Sequence, residues 1–384
     1  MREVRFFVVG VRSGMNLGIM GIVTSSIRQL LTICDGEFSI ITLTREFDER
    51  LYAKSLPGIP IELIGIDTVR GPYIFRVFAH IIKAIPEFQR ADIILDMSGE
   101  VPAKAFPARM FELSLARIFR KPVVIVAQTF YEQTNPLLKF CEKFILSKVS
   151  LLIVREQISY NYLKTLSSNK VHLTADPAFL LPKCSQERLN EIIDSENLPK
   201  DSKIVGISPT LGALTRSPSL LESIRTICNY VINDLDMHIV FVPHVVGPVS
   251  NDIDGIEEIL KKVKNSDKIH VLANEYTPEE IKGVIGMTHI YISMRMHAAI
   301  ASVSNCIPTI LILNYHKAKM LSRFGLSDYI FDEKQSESTY LNAVKNLLQH
   351  HDIMKLELTR SITDAQKESL QTFEIIQKFL DGED

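Results

Sequence analysis

The sequence predicts an α/β protein made of two parallel-sheet, Rossmann-like domains and a C-terminal helical segment. Three observations carry that prediction. Short apolar runs alternate with longer stretches of helical period along most of the chain, the rhythm of repeated βαβ units. Runs such as FFVV are apolar at every position, as strands covered on both faces require. A polar stretch at 183–201 (KCSQERLNEIIDSENLPKD) interrupts the alternation near mid-chain; it contains a short helix, ends in a Pro-Lys-Asp turn and reads as the interdomain connection.

The bulk properties agree. At 384 residues the chain exceeds one ordinary core, and 46% apolar with 23% charged residues is a globular composition. A formal net charge of −2 offers no electrostatic case for nucleic acid as a partner. Five scattered cysteines (Cys34, Cys141, Cys184, Cys228, Cys306), without a CxxC, argue against a disulfide framework and a structural zinc site. The N-terminal apolar run ends before Arg12, too short for a signal segment or a membrane span. A cytoplasmic location is therefore expected, and a lipid-linked substrate would add peripheral contact at the inner face of a membrane.

Taken in order, strands are predicted at 4–9, 38–43, 60–64, 91–96, 122–127, 150–154 and 170–173, with helices between them at 18–33, 72–85, 103–119 and 136–147. After the polar stretch, strands follow at 203–208, 237–242, 268–272, 288–292 and 309–313, with helices at 218–235, 254–263, 278–285 and 296–304. Thr277, Pro278 and Glu280 spell a capping box at the start of the third of these helices. From 336 onward the chain is charged and helix-prone, and it is expected to close the second domain and fold back over the first. The division is thus a first domain at 1–185, a second at 200–350 and a helical segment at 351–384.

Ligands of open parallel sheets bind beyond the carboxyl ends of strands, near helix N-termini. That rule points first to the unit 288–314. Its strand ends at Ser293, a helix starts near Met296, and Arg295 and His297 flank that start. An anion there would meet free N–H groups and a guanidinium, with His297 placed to move a proton. The bland alternative is that Arg295 caps loop carbonyls and His297 only packs. The first βα turn, GVRSGMNLGIMG, is Gly-rich but matches neither GxGxxG nor a P-loop; Asn16 and Gly18 are its candidate contacts. Arg155, after the strand SLLIV, and His244, at another strand end, also lie on the ligand side. Asp252 reads as a helix cap, and Lys317 or Lys319 could reach the same cleft as Arg295. No metal-ligand spacing and no GxSxG elbow occurs.

Taken together, LLIVREQISYNYLKTL, VHLTADPAFLLP, GISP, VPHVVGPVSND and SMRMHAAIASVSNCIPTILILNYHKAK resemble the polysaccharide pyruvyl transferase family, in order over about 9–326. The resemblance implies a GT-B-like pair of domains facing across a cleft. It implies transfer of the enolpyruvyl carbons of phosphoenolpyruvate to a sugar or lipid-linked sugar, forming a pyruvate ketal and releasing phosphate, with no cofactor. By the same resemblance Arg295 and His297 are donor-binding and acid/base residues, and Arg155 and Lys317 match its arginine after the mid-chain strand and its lysine after the Tyr, as substrate-binding residues. The family's Gly-Asn-x-Gly-Asp loop departs here, with Ile19 in the acidic position, on what the family makes the acceptor side. A GT-B glycosyltransferase or epimerase using a nucleotide sugar, and a non-catalytic sugar-phosphate-binding protein, are the alternatives.

Overall fold

The computed structural model describes residues 2–11, 15–65, 73–100, 106–166, 171–247, 251–263, 267–313 and 318–383. The chain divides into two compact units. One comprises Met1–Met15, Ile19–Leu181 and Gln366–Asp384; the other comprises Asn16–Gly18 and Pro182–Ala365.

The first unit is built on a seven-stranded parallel sheet: β1 (Glu3–Val9), β2 (Asp35–Ile41), β3 (Ile61–Ile64), β4 (Ile93–Asp96), β5 (Val123–Gln128), β6 (Leu151–Val154) and β7 (Val171–Leu173), in the order 3-2-1-4-5-6-7. The central strands β4, β5 and β6 are buried at every position, which explains their unbroken apolar runs. Phe7 meets Phe88 edge-on at 4.9 Å, and Ile94, Ile125 and Leu152 join the same core. Each such side chain contributes about 1.5–3 kcal/mol by leaving water.

The second unit repeats the plan with six parallel strands: β8 (Ile204–Ser208), β9 (His238–Phe241), β10 (Ile269–Val271), β11 (Ile290–Ser293), β12 (Thr309–Ile312) and β13 (Ile330–Phe331), in the order 10-9-8-11-12-13. The strand order reverses between β1 and β4 in the first sheet and between β8 and β11 in the second. The capping box forms as the sequence predicts: Glu280 N–H donates to Thr277 Oγ1 at 3.3 Å, and Thr277 N–H donates to Glu280 Oε2 at 2.7 Å.

Two features define how the chain divides. The polar stretch after residue 182 is part of the second unit and contains the helix Gln186–Ser195. That helix, expected from the sequence, buries Leu189, Ile192 and Ile193 under its polar outer face, and Arg188 Nε donates to Glu280 at 2.6 Å. The last helix, His351–Asp381, is shared: from Gln366 onward it belongs to the first unit. There Ser369 Oγ donates to Asp176 O (2.9 Å), Thr372 and Thr174 hydroxyls pair (2.8 Å), and Arg2 Nη1 donates to Leu380 O (2.7 Å).

Candidate active site

In the second unit β8 and β11 lie side by side and end together, Ser208 opposite Ser293. This is the reversal point of strand order, where open parallel sheets offer ligand sites. Ser208 Oγ donates to Val242 O at 2.7 Å and lies 2.5 Å from the hydroxyl of buried Tyr291, whose pKa burial raises. Ser293 Oγ donates to Arg295 O at 2.7 Å and accepts the Arg295 N–H at 3.2 Å. Its one donor is therefore used inside the turn that launches the next helix, and Ser293 shapes the site rather than offering that proton to a ligand.

Arg295 is the N-cap of the helix Met296–Ser304, in extended backbone. No side chain caps this helix and its first turn holds no acid, so the positive end of the helix dipole meets no carboxylate of its own. Buried Ala298 and Ala299 let the helix lie close to the sheet. The Arg295 guanidinium is bidentate on Asp252, with Nε 3.1 Å from Oδ2 and Nη2 bonded to Oδ1. Asp252 is fully buried, and its Oδ2 also accepts the N–H groups of His244 (3.0 Å) and Val245 (2.9 Å). A carboxylate held by two backbone donors fixes the guanidinium plane. The Arg295 side chain remains 23% exposed, and its Nη1 has no partner among the described residues. The cap expected at Asp252 belongs instead to Asn251, whose Oδ1 accepts the Ile253 N–H at 3.1 Å.

His297 is the second residue of that helix and packs over Gly18. A Cβ on Gly18 would lie 2.3 Å from His297 Nδ1 and 2.5 Å from its Cγ. Gly18 is brought there by backbone pairing. Asn16 bridges Val245 in antiparallel fashion, Leu17 N–H donates to His244 O at 3.1 Å, and Asn16 Oδ1 accepts the Gly18 N–H at 3.2 Å. The structure places Asn16 and Gly18 in the second unit, beside His297, although they follow a strand of the first sheet.

His244 is 5% exposed, and its Nδ1 has no hydrogen-bond partner among the described residues. Burial, reinforced by the nearby charges of His297 and Arg295, pushes its pKa down to about 3. A ring neutral at ordinary pH can exchange a hydrogen bond with a ligand but cannot serve as a cation.

Arg155 follows β6 as predicted, but its side chain is 2% exposed. Its Nη1 donates to buried Asp176 at 2.5 Å and its Nε to Thr129 Oγ1 at 2.9 Å, while Asp176 Oδ1 accepts the Ala178 N–H at 2.8 Å. These contacts make Arg155 half of an internal ion pair of the first unit. Lys317 lies outside the described residues, and Lys319 is an exposed residue at the start of the short helix Lys319–Phe324. Among the described residues no group of three or more His, Cys, Asp or Glu is placed to hold a metal ion.

Residues 22–316 match the model of the polysaccharide pyruvyl transferase family. The chain belongs to that family. The matched span takes in Arg155, His244, Ser293, Arg295 and His297, and begins after Asn16 and Gly18. This pyruvyl transferase family member is similar to the amylovoran biosynthesis protein AmsJ of Erwinia amylovora, 21% identical over 313 residues that cover 77% of this chain and 75% of that protein. Its GT-B-like fold is shared with UDP-GlcNAc 2-epimerase from Neisseria meningitidis, at TM-score 0.65, 12% identity and coverage of 98% of this chain and 100% of that one. MnaA from S. aureus aligns at TM-score 0.69 and 11% identity, over 100% of this chain and 98% of that one. A glycosyltransferase from Rickettsia africae aligns at TM-score 0.62 and 13% identity, over 98% of each chain.

Proposed function

We propose that this family member transfers the enolpyruvyl carbons of phosphoenolpyruvate to a sugar of a surface polysaccharide, its lipid-linked precursor or a glycoconjugate. The products are a pyruvate ketal and phosphate. The observation that carries this reading is Arg295, held by buried Asp252 at an uncapped helix N-terminus inside the family-matched span.

Phosphoenolpyruvate brings a carboxylate and a phosphate. In this reading the Nη1 edge of Arg295 and the first-turn N–H groups receive one of them. His244 adds a neutral hydrogen bond, and Lys317 is a further donor contact. His297 handles the proton. Two sugar hydroxyl oxygens bond to C2 and the bond from C2 to the phosphate oxygen breaks. Of the two hydroxyl protons, one ends on the C3 methylene and the other leaves with phosphate. Arg155 acts as a support, through Asp176, rather than by contact.

The test is phosphate release from purified protein mixed with phosphoenolpyruvate and a panel of sugar acceptors. Turnover that is lost in Arg295→Ala and His297→Ala supports the proposal. An Arg295→Ala protein as active as the parent sinks it. So does a silent panel in which uridine diphosphate raises the melting temperature and phosphoenolpyruvate does not, which points to a nucleotide-sugar enzyme.

A further inference from the structure

In the first unit the helices Tyr73–Lys83, Phe106–Ile118 and Pro136–Leu146 run side by side, joined for instance by Phe78 and Phe111, whose rings lie 5.4 Å apart. Surface helices ordinarily turn polar residues outward. Here Phe75, Ile82, Ile118, Leu137, Phe140 and Phe144 face solvent, each 52–68% exposed. On the last helix, PLLKFCEKFIL, the pattern is inverted. Leu137, Phe140 and Phe144 form an outward stripe at i, i+3 and i+7, while Glu142 and Leu146 are buried. Between the second and third helices runs a groove lined by Leu113, Val123, Ile145 and Val149, with Arg117 and Lys148 on its walls. Arg117 lies over the Phe144 ring at 4.5 Å.

The charge on this face is mainly positive. Between residues 106 and 148 the side chains of Arg117, Arg120, Lys139, Lys143 and Lys148 reach the surface. The carboxylates of the same stretch are withdrawn or paired: Glu112 and Glu142 are buried, and Glu132 binds Lys139 at 2.8 Å. Burial pushes the Glu142 carboxyl up to about 7, against the hydrogen bond from Tyr162 and the charge of Lys139, so even its residual charge is reduced.

We propose that this three-helix face docks on an anionic lipid surface. Protruding aromatic and aliphatic side chains ringed by lysine and arginine match the boundary between acyl chains and acidic headgroups. The apolar groups enter the former, and the cations extend to the latter. No helix among the described residues is long and apolar enough to cross a membrane, so the contact is peripheral. The inference does not depend on the donor chemistry proposed above, because none of these residues belongs to that site.

The experiment is co-sedimentation of the full chain with phosphatidylcholine vesicles, with and without phosphatidylglycerol, at low and high salt. Binding is expected only to the phosphatidylglycerol vesicles and should weaken with salt. The double variant Phe140→Ser/Phe144→Ser should bind about tenfold more weakly at an unchanged melting temperature, and Lys143→Glu/Lys148→Glu should also weaken binding. Equal binding to both vesicle types, no binding at all, or an unaffected double serine variant would each overturn the proposal. So would a dimer that dissolves on the same substitutions while vesicles bind nothing, because the face would then belong to a second copy of the chain.

Discussion

Gly18→Ala probes how closely the start of the Leu17–Leu30 helix is fitted to His297. The added methyl would stand 2.3 Å from His297 Nδ1, 2.5 Å from Cγ and 2.7 Å from Cβ. Heavy atoms pack at about 3.5–4.0 Å, so the imidazole must retreat by about 1 Å. Two terms decide stability. Alanine favours a helix over glycine by about 0.5–1 kcal/mol, whereas overpacking costs about 1–3 kcal/mol. Their sum lies between about zero and a net cost of about 2.5 kcal/mol, a fall in melting temperature of at most about 10 °C for a unit of this size. Catalysis is more sensitive. A displacement of about 1 Å at the reacting groups costs about 100-fold in rate, equivalent to about 2.7 kcal/mol, so activity should fall further than stability. The assay is phosphate release from phosphoenolpyruvate, run beside thermal unfolding. A Gly18→Ala protein with kcat within about twofold of the parent would refute the reasoning, since His297 would then either tolerate the methyl or take no part in the chemistry.

Three further outcomes are expected. Asp252→Asn leaves Arg295 without its counter-charge; breaking a buried pair costs about 3–5 kcal/mol, and the 23% exposure of Arg295 reduces this to about 2–3 kcal/mol. Melting temperature should drop and KM for phosphoenolpyruvate should rise, and an unchanged KM would contradict the positioning role. His244 has its folded pKa lowered to about 3, below the ordinary value of 6.5, so the unfolded chain binds the extra proton. Its stabilising effect is complete above about pH 6.5 and declines by about 1.4 kcal/mol per unit as pH falls toward 3, a slope that His244→Gln should flatten in urea unfolding at graded pH. Asp176→Asn should destabilise the first unit by about 3–5 kcal/mol. An Arg155→Lys protein that melts like the parent yet loses phosphoenolpyruvate binding would show that Arg155 touches donor after all.

The sheets were legible because burial on both faces leaves a local mark: β4, β5 and β6 are apolar at nearly every position, and the Thr277 to Glu280 box announces its helix. β13, only Ile330 and Phe331, carries too little pattern to be read and exists through its pairing with Leu311 and Ile312. In the site, the local part was readable, since Arg295 sits at a helix start after a strand. The long-range part was not. Asp252 and Asn251 are both good caps, and only the approach of Arg295, far along the chain, decides which one caps. Asn16–Gly18 follow a strand of the first sheet, yet pairing with Val245 and His244 draws them to the second unit. A glycine read as turn chemistry proves to be clearance for an imidazole.

The shared last helix sets an order of events during synthesis. Domains made first ordinarily fold first as the chain emerges. Here the first unit receives Ser369, Thr372 and Leu380 as partners for Asp176, Thr174 and Arg2, from residues translated after the whole second unit. The unit begun first is therefore finished only after the second unit has been made. Until then the backbone carbonyl of Asp176, the ion-pair partner of Arg155, lacks its Ser369 donor. A truncation before Ser369 would injure the first unit and leave the Arg295 side of the second unit complete.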